Sequence, residues 1–125
     1  MSTILVVDDE KEILKYMQNL LENAGYKVKT AENGNAAIKI FKQSPPDLVI
    51  TELLMPEKDG AETVIELRSD YPDLKVIIIT GNGKNLKAED HLELIESLNV
   101  NYSFIKPVDS NKLLCEINKL LNNNC

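Results

Sequence analysis

The chain has 125 residues, 43% apolar and 27% charged, a balance that fits one compact domain and excludes a disordered chain. Fourteen basic against twenty acidic residues leave a net charge of −6, which argues against direct nucleic-acid binding, since that affinity comes from Lys and Arg neutralising phosphates. The longest purely aliphatic runs, Ile4–Val7 and Val76–Ile79, are too short to span a bilayer, and no signal peptide opens the chain, so a cytoplasmic location is expected.

Ile4–Val7 reads as a buried strand that ends at three acids, Asp8, Asp9 and Glu10. Ile13, Met17, Leu20 and Ala24, flanked by Leu14 and Leu21, recur at helical spacing, and Gly25 supplies the stop. Tyr26–Ala31 is a second, more polar strand nearer an edge. Asn33–Gly34 is a turn, Ala36–Lys42 a short helix, and Pro45–Pro46 a break. Leu48–Thr51 is a third buried strand, followed by Glu52 and the loop Leu53–Gly60. Helix three runs from Ala61 to Asp70 with Val64, Ile65 and Leu67 as its apolar side, and Lys75–Thr80 is the fourth strand. After the loop Gly81–Lys87, a fourth helix turns Leu92, Ile95 and Leu98 inward and Glu89, Asp90, Glu93 and Glu96 to water. Tyr102–Ile105 is the fifth strand, and Asp109 caps a last helix carrying Leu113, Leu114, Ile117, Leu120 and Leu121.

Five strands alternating with five helices over short connections predict an α/β fold, a parallel sheet covered on both faces. Right-handed crossovers make a doubly wound, flavodoxin-like sheet of order 2-1-3-4-5 the expected topology, with residues 1–125 forming a single domain. Cys115 and Cys125 match no metal-ligand spacing, so a half-buried Cys115 and a free Cys125 are expected. His91, the lone histidine, is expected at the surface, with no second nitrogen ligand for a zinc site.

Ligands of such sheets bind outside the carboxyl ends of the strands, where the strand order reverses. Strand one delivers Asp8 and Asp9 there, strand three Glu52, strand four Thr80 and strand five Lys106. Adjacent carboxylates with a third opposite suit a hard divalent cation with oxygen ligands, such as Mg²⁺. A hydroxyl and an ammonium across from it supply partners for phosphoryl oxygens.

In these residues the sequence resembles the receiver domain of two-component response regulators. The matching stretches are Ile4-Leu-Val-Val-Asp-Asp9, Pro46-Asp-Leu-Val-Ile-Thr51, Met55-Pro56, Asp59-Gly60, Val76-Ile-Ile-Ile-Thr-Gly81 and Lys106-Pro107, and the likeness covers nearly the whole chain. The resemblance implies that Asp8 and Asp9 hold Mg²⁺ with the backbone carbonyl of Leu54. It further implies that position 52 accepts a phosphoryl group from a histidine kinase, that Thr80 and Lys106 read that group, and that the Lys106–Pro107 bond is cis.

Three departures stand out. The acceptor position holds Glu52 where the family has Asp, and the extra methylene carries the carboxylate about 1.5 Å further out. Glu52 is therefore expected not to accept a phosphoryl group but to pair with Lys106 or a metal. The residue three before the Lys is Ser103 where receivers usually carry an aromatic, with Tyr102 and Phe104 on the opposite strand face. The connection from Thr80 to Lys106 is a few residues longer than usual and contains Gly81-Asn82-Gly83-Lys84, which lacks the spacing of a P-loop.

The leading expectation is a stand-alone receiver acting as a protein-binding signalling module, its partners a histidine kinase or phosphotransferase and a downstream target protein. The alternative is a phosphorylatable receiver that catalyses phosphoryl transfer and autodephosphorylation, Glu52 being a substitution for a natural Asp. A flavin- or nucleotide-binding protein on the same fold is disfavoured, because Asp8-Asp9-Glu10 repels a phosphate unless a cation intervenes.

Overall fold

The computed structural model describes residues 2–55, 57–81 and 88–123, residues 88–92 through their backbone alone. The expectations placed on Pro56, on Asn82-Gly83-Lys84, on the side chains of Glu89, Asp90, His91 and Leu92, and on Cys125 lie outside the described residues.

The elements run β1 (Thr3–Val7), α1 (Lys11–Asn23), β2 (Lys27–Ala31), α2 (Gly34–Gln43), β3 (Leu48–Glu52), α3 (Gly60–Asp70), β4 (Val76–Thr80), α4 (Ala88–Leu98), β5 (Tyr102–Ile105) and α5 (Ser110–Asn122). The five strands form one sheet in the order β2-β1-β3-β4-β5, every pairing parallel. This is the doubly wound order expected from the alternating pattern, and β2, the strand with two lysines, is indeed an edge. Charged side chains there discourage a stray strand from pairing.

Strand alternation divides the core into two layers. Ile4, Val6, Ile50, Ile77 and Ile79 point to one face and pack against Leu14, Met17 and Leu21 of α1 and Leu113 and Ile117 of α5. Leu5, Val7, Val49, Val76 and Ile78 point to the other, against Ala37 and Phe41 of α2, Val64 and Leu67 of α3, and Leu98 of α4. Every residue of β3 and β4 is buried. That double coverage is why these strands read as unbroken aliphatic runs.

Local signals set the helix ends. Asn33 accepts a hydrogen bond from the Ala36 N–H at 2.8 Å, so the expected turn at Asn33–Gly34 is the N-terminus of α2, Gly34 already helical. An Asn33→Ala variant loses this cap and about 1 kcal/mol of stability, read by urea denaturation; an unchanged midpoint would show the cap to be redundant. Asp59 caps α3 and Asp109 caps α5, both through side-chain oxygens. Gly25, φ +97°, turns the chain out of α1 in a conformation that side chains rarely adopt.

Two expectations need correction. In α3 the buried stripe is Gly60, Ala61, Thr63, Val64 and Leu67, while Ile65 is 62% exposed. One residue is a 100° rotation, which carries Ile65 past the edge of the stripe that Val64 and Leu67 define. The expectation of unpaired cysteines fails at Cys115, which is half-buried on α5 and disulfide-bonded; spacing tests metal-ligand patterns but carries no information on this pairing.

Candidate functional site

The strand order reverses between β1 and β3, and parallel register brings the ends of four strands to one rim. Val7 pairs with Thr51, Glu52 with Ile79, and Thr80 with Ile105. The first residues past β1 and β5 are Asp8 and Lys106, and β3 and β4 end on Glu52 and Thr80. The four are thereby collected at the topological switch point where doubly wound sheets bind ligands.

Glu52 lies at the centre, 1% exposed. Its Oε1 accepts the backbone N–H of Gly81 at 3.1 Å, and its Oε2 lies 3.2 Å from Lys106 Nζ. Asp8 is also buried. Its Oδ1 accepts the N–H of Glu10 at 2.9 Å, and its Oδ2 accepts from Lys106 Nζ at 3.1 Å. The same ammonium stands 3.5 Å from Glu10 Oε1, so it bridges three carboxylates on two segments of chain. Its backbone N–H donates to Thr80 O at 2.9 Å, and the following Lys106–Pro107 bond is cis. Thr80 is buried, and Asp9 and Leu54 are half-buried.

Two participants, Gly81 and Gly60, stand in the matching stretches of sequence, but no role was read for them there. The Gly81 N–H donor is a backbone group, marked only by following Thr80 at a strand end. Gly60 is the other. A Cβ there would meet the carbonyl oxygen of Glu52 at 2.1 Å, and the Gly60 N–H donates to Leu53 O at 2.8 Å. The start of α3 is thus pressed onto the end of β3, an approach that only a residue without a side chain permits.

Burial raises the Glu52 carboxyl above its ordinary value, a shift that the Lys106 charge and the Gly81 N–H oppose and do not cancel. For Lys106, burial pulls downward, and the hydrogen bond to Asp8 with the charges of Glu52 and Asp8 outweighs it, so its pKa is raised. Lys106 therefore adds stability below its unfolded value of 10.5, lost as pH rises through the native value. Glu52 acts in the same direction over a lower pH range: native protein binds its proton more tightly than unfolded chain, so stability falls as pH rises from 4.5 through the native value. A Glu52→Gln variant lacks that decline. Its stability relative to the parent is expected to rise across this window by up to about 1.4 kcal/mol per pH unit, as urea titrations at several pH values would show. A difference that shrinks with rising pH would contradict the assignment.

The donors are all oxygen, as a hard divalent ion requires, and one of them, Asp8 Oδ2, is engaged by Lys106. Among the described residues no three acids gather at metal-holding spacing. Asp8 and Glu52 converge instead on Lys106, which stands as their counter-charge.

This rim, with its buried acids, hydroxyl and ammonium, can be set beside known proteins. The model of the response regulator receiver domain matches residues 4–118. The chain belongs to the response regulator receiver family. A receiver domain protein from Clostridium thermocellum superposes with a TM-score of 0.87 at 33% identity, covering 98% of this chain and 96% of its own. Response regulator TrrA from Thermotoga maritima, solved in complex with Mg²⁺-BeF, gives 0.84 at 33% identity, covering 97% of this chain and all of its own. Receiver protein CpdR of Brucella abortus is 36% identical over 81 residues, 65% of this chain and 68% of CpdR. Other relatives are longer. The chain spans 45% of the ycf27 regulator of Cyanidium caldarium, to which it is 35% identical over 120 residues. Receivers of this family serve two-component signalling, a setting in which such domains meet histidine kinases. No helix among the described residues is long and apolar enough to cross a membrane.

Strand β5 carries the second departure. Ser103 pairs with Ile78, while Tyr102 and Phe104 touch ring to ring at 4.8 Å. Phe104 packs on the layer formed by α1 and α5. The strand position paired with Ile78 therefore holds a hydroxymethyl group and no ring.

Proposed function

We propose that this receiver is a protein-binding signalling module whose output does not depend on phosphorylation, because Glu52, at the acceptor position, supplies its own anion to the groups that would read a phosphoryl group. The observation that carries this reading is the pair of contacts made by one carboxylate, Oε1 on the Gly81 N–H and Oε2 beside Lys106 Nζ. Preorganised donors of that kind are what a phosphoryl oxygen needs, and here they are already engaged. A carboxylate so engaged is poorly placed for in-line attack, and a misplacement of about 1 Å costs on the order of 100-fold in rate.

Thr80 completes the reading set, and Asp8, Asp9 and the Leu54 carbonyl are the donors through which Mg²⁺ would bind once Lys106 gave up Asp8. The partners are a histidine kinase or phosphotransferase and a downstream target protein, met in the cytoplasm. The test is intact mass after incubation with acetyl phosphate and Mg²⁺. The expected result is an unchanged mass; a stable adduct of one phosphoryl group on Glu52 would overturn the reading.

A further inference from the structure

Arg68, in the last turn of α3, has no carboxylate partner among the described residues. Its guanidinium is spent on backbone oxygens. Nη1 donates to Leu98 O at 2.6 Å and to Asn99 O at 2.8 Å, and Nη2 donates to Leu74 O at 3.0 Å. The first two oxygens belong to the C-terminus of α4, where Asn99 turns the chain with φ +51°. The third belongs to the connection that enters β4. Nε is buried and makes no hydrogen bond, and burial holds the guanidinium pKa below its usual value. A charged group is thus held in a partly dry place against carbonyls alone.

Physical chemistry says what such a group does. The last carbonyls of a helix lack intrahelical donors and carry the negative end of its dipole, so a cation seated on them satisfies both deficits. The planar fork of Arg can hold several oxygens in fixed directions, which a Lys point charge cannot. The apolar anchorage of α4 lies at the same end, since Leu94, Ile95 and Leu98 pack on the core layer beneath it. No basic residue of α4 itself lies in its last turn. The cap comes from α3.

We propose that Arg68 is the positioning residue of α4: it locks the C-terminal end of that helix to α3 and to the entry of β4, and so fixes the orientation of the surface that α4 presents beside β5. The clamp stands on its own contacts. Only its consequence for partner docking rests on the functional reading above, and the experiment separates the two because it needs no partner and no phosphoryl group.

Amide hydrogen exchange is followed residue by residue in the parent, Arg68→Ala and Arg68→Lys proteins, with urea denaturation alongside to give any change in global stability. Losing hydrogen bonds to a charged group opens the site locally by on the order of tenfold or more. In Arg68→Ala the amides from Ile95 to Val100 are expected to lose protection by at least about that factor beyond the global change, while α1 and α5 do not. Arg68→Lys is expected to restore part of it, one ammonium reaching fewer of the three oxygens, and it carries the test if the alanine variant does not fold. Loss spread evenly over all helices, or unaltered protection at the end of α4 in both variants, would overturn the proposal.

Discussion

The Glu52→Asp variant is expected to take up one phosphoryl group from acetyl phosphate in the presence of Mg²⁺, where the parent takes none. Shortening the side chain by one methylene withdraws the carboxylate by about 1.5 Å. An Asp oxygen then has room in front of it to attack phosphorus, forming a new P–O bond while the bond to the acetate leaving group breaks. The oxygens of the transferred group can fall on the donors that Glu52 now fills, the Gly81 N–H and Lys106 Nζ. The expected mass gain is one phosphoryl group in most molecules, and digestion should place it at position 52. If both proteins label equally, the methylene is not what silences the site. If neither labels, the geometry of this rim is unsuited to transfer whatever residue stands there.

The fold was legible because its signals are local and repeated. Three aliphatic runs and two more polar or mixed strands alternate with helical periodicity, and few topologies satisfy that order. Asp109 reads correctly as a cap because its side chain sits two and three residues before the N–H groups it accepts from, Asn111 and Lys112. The site residues were legible for a related reason: in a parallel sheet the carboxyl ends of the strands share one rim, so the last letters of each strand name the cluster. What stayed hidden depends on angles or on backbone. Ile65 follows Val64 in sequence, and only the rotation of the real helix sends it to water. The Gly81 N–H has no letter of its own. Gly60 reads as the end of a loop, and the reason for it, an approach to the Glu52 carbonyl too close for a Cβ, exists only in three dimensions. Arg68 carries no signal in the sequence, because two of its three partners, Leu98 and Asn99, lie 30 and 31 positions away.

Replacing Lys106 with Met is expected to destabilise the protein by about 3 to 5 kcal/mol at neutral pH, the usual consequence of removing one partner from a buried charge pair. The side chain of Lys106 is 17% exposed, and those of Asp8 and Glu52 are 4% and 0%. Once the ammonium is gone, two buried carboxylates face each other across the space it occupied, and water cannot screen them as it would at the surface. Two measurements separate this cause from simple loss of packing. Combining Glu52→Gln with Lys106→Met should recover much of the stability, because one of the two repelling charges is removed; the double-mutant cycle then shows strong coupling. Added Mg²⁺ should stabilise the Lys106→Met protein more than the parent, since a cation that binds only the native state stabilises it by mass action, and Lys106 no longer competes for Asp8. A cost under about 1 kcal/mol, or an equal response to Mg²⁺ in both proteins, would mean that Lys106 is not the counter-charge on which this rim depends.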